Sequence, residues 1–222
     1  MEFLTRRLAI PAETLQGIES NYFDWAFSIT GVTKADYIQY IKNLLTKAYE
    51  DGQDYDSFVT ELKSEKKGKQ IETGFRRKHL YTVFDTNIRR AYAAGRKSQL
   101  DQDHVKAVYV GRRWEWRDSR DPRKHHQAID GKIFPADHPF WDIAFPPSGF
   151  GCRCAVTGVS RAMLRETGER IVQPPPANTI AEKPFTSSPG VSEEKQRMNY
   201  IKEGVSRQSP QLQEYIKKEL GI

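Results

Sequence analysis

Hydrophobic spacing along the chain changes period near its middle. From Thr33 the run TKAD sets Asp36 three residues behind a hydroxyl cap, an arrangement with which helices often begin. Ile38, Ile41, Leu44, Leu45 and Ala48 follow at steps of three and four, so they share one apolar helical face that ends at Gly52. A second helix is expected from about Asp56, with Phe58, Val59 and Leu62 turned inward. The third and longest runs from about Gln70 to Leu100. Its Ile71, Phe75, Leu80, Val83, Phe84, Ile88, Ala91 and Tyr92 form one broad stripe. Thr86 and Asn87 are weak helix formers in its middle, and mark either a kink or a buried hydrogen bond.

From Val105 the period shortens. VKAVYVG and RWEW are β-branched and aromatic and read as strands, as does RCAVTGV further on. Ser160 caps a short helix, RAMLRETG. Between the strands, residues 118–150 show no clear period and read as a long loop, which inside a compact domain calls for a function or a clamp. Beyond Gln173, PPPANTIAEKPFTSSPG predicts an extended, unpaired linker. A last amphipathic piece carries Met198, Tyr200, Ile201, Leu212, Tyr215, Ile216 and Leu220. It is either a tethered helix that grips a partner or a tail folded back on its own core. Residues 1–32 hold Tyr22, Phe23, Trp25 and Phe27 and read as an arm that packs its aromatics on something larger.

The expected fold class is α+β. A mainly helical N-terminal part with a long basic helix precedes a small β element, whose long loop is closed by the CRC strand. An extended linker and a C-terminal helical tail follow. The divisions fall at 1–32, 33–104, 105–170, 171–190 and 191–222.

Charge is uneven along these divisions. Lys and Arg number 18 against 9 Asp and Glu between Glu61 and Lys124, while residues 1–60 carry 5 against 9. The middle therefore holds the whole excess behind the net charge of +6, a field that attracts polyanions without sequence preference. Arg76, Arg77, Lys78, Arg89, Arg90, Arg96 and Lys97 are the candidate nucleic-acid-binding set; the competing reading is a solvated helix face. At 29% charged and 37% apolar residues the chain predicts a modest core with solvated parts. No stretch approaches a transmembrane span, and MEFLTRRLAIPAETL lacks the apolar region of a secretory signal.

Both cysteines lie in PPSGFGCRCAV, between Pro146 and Val156. A disulfide across C-x-C is strained, so free thiols or a metal site in a reducing cytosol fit better. Cys152 and Cys154 on one short strand point to the same face, and two such thiolates suit a soft divalent cation. His126 is the third candidate ligand, with His125, His138, Asp118 or Asp121 as the fourth. A zinc ion there would pin the loop to the strand, replacing a core that the loop is too polar to build. The alternative is that both thiols are small buried hydrophobes and His126 a hydrogen-bonded core residue. No H-E-x-x-H, Walker loop, G-x-S-x-G or GxGxxG is present, so catalytic residues are not assigned and a non-enzymatic role is expected. A Cys/His nucleophile and a metal-dependent nuclease or toxin-like enzyme remain as rivals.

The loop then brings a specific pattern. Arg123 stands three residues before His126. Asp130-Gly131, Pro135, Asp137 and Pro139-Phe140-Trp141 follow, then Pro146-Pro147, Gly149, Cys152-Arg153-Cys154 and Val156. In this order the positions resemble the phage Mu F-like family of head-morphogenesis, or minor head, proteins. The helix HLYTVFDTNIRRAYAAGRKSQL is similar to the one that precedes the motif there, and the resemblance covers about residues 35–160. Some members carry His near Gly149, a ligand this chain does not offer. Larger relatives add C-terminal effector or toxin domains, where this chain has a linker and a tail.

The resemblance implies a structural protein of the virion, at the head interior or portal vertex, assembled in the host cytoplasm. Its partners would be the portal protein and capsid components, with non-specific DNA and no membrane in the assembled head. It would assist head assembly and genome packaging or delivery. A stand-alone zinc-stapled nucleic-acid-binding module is the alternative from the residues alone.

Overall fold

The period-3.6 stretches become helices. In the computed structural model, residues 7–9, 26–27, 29, 35–64, 77–119, 122–183, 185, 187–189, 210, 213–214 and 218 are described. Two compact units emerge, Met1–Phe84 with Ser192–Ile222, and Asp85–Val191.

In the first unit, strands β1 (Leu8–Ala9) and β2 (Ala26–Phe27) pair in parallel. Helices α1 (Ala35–Glu50) and α2 (Tyr55–Ser64) follow. Ile38, Ile41, Leu45 and Ala48 are buried along α1, as their spacing predicts. Asp54 caps α2, its Oδ1 accepting from Ser57 N–H at 2.9 Å. Helix α3 (Arg77–Leu100) contributes its first residues to this unit, where the Phe84 ring meets Phe58 at 5.2 Å and Tyr55 at 5.7 Å. Arg7 stands over the buried Phe27 ring, 5.4 Å from its centroid. Lys42 Nζ donates to the Arg7 carbonyl at 2.7 Å. Thr33, Gln70, Arg76, Tyr22, Phe23, Trp25 and the apolar residues of the expected tail lie outside the described residues.

The second unit is built on a three-stranded antiparallel sheet, ordered β4-β3-β5. Its strands are β3 (Tyr109–Glu115), β4 (Ile133–Pro135) and β5 (Ala155–Ser160). Arg112 pairs with Phe134 on one side and Gly158 on the other, and Trp114 with Val156. Strand β3 begins later than its β-branched run suggests. Residues Asp103–Val108 form a short helix, α4, with Val105 packed against the core and Val108 left exposed. Tertiary position overrides the intrinsic strand preference of valine there. Ser160 Oγ accepts from Met163 N–H at 3.2 Å and caps helix α7 (Arg161–Thr167), as expected.

Two expectations are corrected. The stretch 118–150 is not an open loop, because it contains α5 (Lys124–Gln127), β4 and α6 (Trp141–Ala144). Nor is it too polar to build a core. Leu100, Trp114, Ile129, Phe134, Phe140, Trp141, Ala144, Phe145, Val156 and Ile180 form one buried cluster, six of them from this stretch. Each fully buried side chain of this size contributes about 1.5–3 kcal/mol of transfer free energy. The short elements within 118–150 hid the pattern, since none of them persists for more than four residues.

The segment expected as an unpaired linker is also held. A 3-10 turn at Ala177–Thr179 is followed by buried Ile180, Phe185 and Ser188. Ser188 N–H donates to Asp142 O at 2.9 Å and Glu182 N–H to Ser148 O at 2.9 Å. Ser188 Oγ accepts from Phe145 N–H at 3.1 Å and donates to Trp141 O. Among the described residues, no helix is long and apolar enough to cross a membrane.

Candidate functional site

The stretch PPSGFGCRC makes a compact turn immediately before β5. Pro146, Pro147, Ser148 and Gly149 are buried, and the Pro146–Pro147 peptide is cis. Ser148 Oγ donates to Ala144 O at 3.0 Å, and Cys152 N–H to Gly149 O at 3.1 Å. Gly151 takes φ 70°, the left-handed region that favours glycine. Cys152 and Cys154 therefore precede the strand rather than lying on it, yet the turn still brings both sulfurs to one place.

His126 meets them from α5. Cys152 Sγ is 3.7 Å and Cys154 Sγ 3.6 Å from His126 Nδ1, and all three ligand atoms lie within 4.8 Å of one another. His126 is 1% exposed. Its Nε2 stands 3.0 Å from the Ile180 carbonyl, which can only accept. Nε2 thus carries the hydrogen and Nδ1 presents a lone pair to the sulfurs when the ring is neutral. Trp114 flanks the ring, centroids 5.3 Å apart.

The two thiols divide one charge. The Cys154 S–H donates toward Cys152 and, with His126, holds the Cys152 thiol well below its ordinary range against the opposing effect of burial. Cys154 is pushed up by the Cys152 sulfur and by its own burial. Neither cysteine is in a disulfide. Two cysteine sulfurs and, on the neutral ring, the His126 Nδ1 lone pair form a soft donor set, compatible with a borderline-soft cation such as zinc.

Arg123 ties this centre together. Its Nε donates to Glu182 Oε1 at 2.5 Å and its Nη2 to Glu182 Oε2 at 2.9 Å, while Nη2 also reaches Phe150 O at 2.8 Å. One guanidinium therefore links the start of α5, the cysteine turn and the former linker. Arg123 holds the Glu182 carboxyl below the usual carboxylate range, burial opposing. A Cβ on Gly149 would stand 2.3 Å from Glu182 Oε2 and 2.9 Å from Arg123 Nη2, so a side chain there would displace the ends of this pair.

The remaining motif positions build the support. Asp130 Oδ1 accepts from Trp116 N–H at 2.8 Å, and Gly131 N–H donates to Trp114 O at 2.9 Å. Phe140 meets Phe134 at 5.1 Å and Trp141 at 5.0 Å. Trp141 Nε1–H donates to Pro135 O at 2.8 Å. Pro139 and Asp137 are exposed, and so is Arg153.

Three of the four expected fourth ligands do not join the three. His138 Nδ1 accepts from Phe140 N–H at 3.0 Å. His125 packs edge-on to His126, and it and Asp118 are exposed and outside the three-residue group. Asp121 lies outside the described residues.

The basic set divides. Arg77 and Lys78 are exposed, as is Arg96, and Arg89 is partly so. Arg77 stands 3.4 Å from Asp56, and Arg89 2.8 Å from Asp85. Arg90 and Lys97 are a correction: they are 0% and 4% exposed. Arg90 lies over the Phe185 ring at 5.4 Å and donates to Ser187 O at 3.5 Å. Lys97 donates to Asp101 at 2.6 Å and Asp142 at 3.3 Å. Their stripe faces the core because Ala91, Ala94 and Leu100 on the same side are buried with them.

Sequence reading missed three partners. Arg112, 1% exposed, donates to Asp101 Oδ1 at 2.6 Å and Leu100 O at 3.1 Å. Glu182 and Ile180 fall in the presumed linker. For Arg112 the signal was available: it alternates with Trp114 in a strand whose inward face is apolar.

The family described as "Phage Mu protein F like protein" matches residues 39–157. Escherichia phage Mu has a protein named "Putative capsid assembly protein F" that is 27% identical over 164 residues, 66% of this chain and 36% of that protein. The "Mu-like prophage FluMu F protein" of Haemophilus influenzae is 29% identical over 161 residues, 66% of this chain and 37% of that protein. The chain thus spans a little over a third of the length of these curated relatives. No solved structure matches it significantly.

Proposed function

The chain belongs to the phage Mu protein F-like family, and from that premise we propose that it is a structural head-assembly protein, virion-associated, in contact with the portal and packaged DNA. The carrying observation is the family match over 39–157, which includes the helix α3, His126 and both cysteines. The relative from phage Mu bears a capsid-assembly name, and that role is extended here to this chain. The role is non-enzymatic: the buried polar groups of the second unit mostly tie its own segments together. Exposed Arg77 and Lys78 in the first unit, and exposed Arg96 with half-buried Arg89 in the second, each offer phosphates a sequence-independent contact. In the test, portal complexes isolated from the phage contain this protein, and portal isolated cleanly without it overturns the portal contact. Supercoiled plasmid and RNA remain intact with added Mg²⁺, Mn²⁺ or Zn²⁺; cleavage would favour the nuclease rival.

We further propose that His126, Cys152 and Cys154 hold a structural zinc. Tetrahedral zinc at ordinary bond lengths separates its sulfur and nitrogen ligands by about 3.6 Å. The two measured separations, 3.6 and 3.7 Å, support that reading, as does the carbonyl that orients His126 from behind. Bound there, zinc would join α5 to the turn before β5. Elemental analysis of the purified chain is expected to find one zinc per chain, lost when both cysteines are replaced by serine.

A further inference from the structure

Both cysteines line a cleft of about 400 Å³, while His126 does not. The cleft is walled by α3, the cysteine turn and the facing ends of β3 and β5. Its charged lining is Arg89, Arg96, Arg117 and Arg153 against the single carboxylate Glu115. Arg89 is paired with Asp85 and Arg117 lies 3.4 Å from Glu115. Arg96 and Arg153 are exposed, and among the described residues neither has a carboxylate partner. Two arginines without a carboxylate partner among the described residues thus line the same net-cationic cleft as the two cysteines.

Closed structural zinc sites have four protein ligands, whereas three ligands leave one position for an exchangeable group. Among the described residues, no further His, Cys, Asp or Glu joins the three. We propose that a metal held by His126, Cys152 and Cys154 keeps its fourth position open to this cleft and takes an exchangeable oxyanion there, a phosphate or carboxylate group steadied by Arg96 and Arg153. The inference rests on the metal reading above. Guanidinium groups suit such a ligand because their planar fork matches the spacing of two oxyanion oxygens. A phosphate would come from nucleic acid or free in solution, a carboxylate from an acidic side chain or chain terminus.

The test uses the full chain loaded with Co²⁺, whose visible bands report the coordination shell. Inorganic phosphate and acetate are titrated in separate arms, each against chloride at matched ionic strength. The bands are expected to shift and saturate in at least one arm, and the responding arm identifies the oxyanion. In Arg96→Gln/Arg153→Gln, both sites being exposed, half-saturation should require at least about tenfold more anion. Failure of Co²⁺ to bind overturns the metal reading and this inference with it. Binding with bands unresponsive to both anions overturns the inference alone. If Asp121→Asn restores a response that the native chain lacks, Asp121 is the fourth ligand and the position is closed.

Discussion

Arg123→Ala removes a side chain that ties the start of α5 to two other segments of the second unit. Among the described residues, three hydrogen bonds go: two to Glu182 and one to the Phe150 carbonyl. Hydrogen bonds to charged groups contribute about 1.5–3 kcal/mol each when buried. The Arg123 side chain is 14% exposed but that of Glu182 is 37% exposed, so the abandoned carboxylate regains water and solvent screens the pair. The net loss is therefore about 2 kcal/mol rather than the sum of three bonds. For a unit of about 100 residues, 1 kcal/mol moves Tm by about 4–8 °C, so a drop of about 10 °C is expected. Thermal denaturation followed by circular dichroism measures it.

Arg123→Lys keeps the charge but not the fork, and should recover less than half of the loss. A double-mutant cycle with Glu182→Gln should show coupling of about 1–2 kcal/mol. Because Phe150 is two residues before Cys152 and Arg123 three before His126, the variant should also bind zinc more weakly in chelator competition. If Arg123→Ala melts within about 1 °C of the native protein and binds zinc equally well, the clasp carries no weight and the reasoning fails.

Other expectations follow from the same geometry. Arg89→Gln/Arg96→Gln should lower the salt slope of DNA binding by about 2, since each phosphate contact contributes about 0.9; an unchanged slope removes these arginines from the interface. Gly149→Ala should destabilise the second unit by about 1–3 kcal/mol in chemical denaturation, because its Cβ meets the Arg123–Glu182 pair. Burial alone would raise the Asp101 carboxyl, but hydrogen bonds from Lys97 and Arg112 outweigh it and lower it. Its contribution is therefore full above the ordinary carboxylate range and lost as pH falls through the lowered folded value. Asp101→Asn should flatten the acid limb of Tm against pH, and an identical limb would count against the network.

The helices and the sheet strands were largely legible, because Ile38, Ile41, Leu45 and Trp114 repeat at periods that local geometry imposes. His126, Cys152 and Cys154 were legible as a set from donor chemistry alone, though nothing local placed them within reach of one another. What escaped was long-range. Arg90 and Lys97 look like any basic helix residue, the latter with an i,i+4 partner in Asp101, until Phe185 and Asp142 arrive from elsewhere in the chain. Ile180 and Phe185 were obscured by the prolines around them, which signal extended backbone but do not say whether that backbone is covered. Pro-rich composition is compatible with both a tether and a strap.

The buried cluster also changes what a metal would do here. In small zinc domains the ion substitutes for a core, and the chain unfolds without it. Here Trp114, Phe134, Phe140 and Trp141 pack against one another, and Arg123 holds the turn through its own hydrogen bond to the Phe150 carbonyl. Removal of zinc from this unit should therefore lower its melting temperature without abolishing its cooperative transition. Cys152→Ser/Cys154→Ser should retain the near-ultraviolet circular dichroism of the packed tryptophans while losing the metal. Loss of that signal would mean that the ion, and not the aromatic core, holds residues 118–150 in place. Retention would leave the ion a local task, to fix His126 against the cysteine turn and present the cleft beside it.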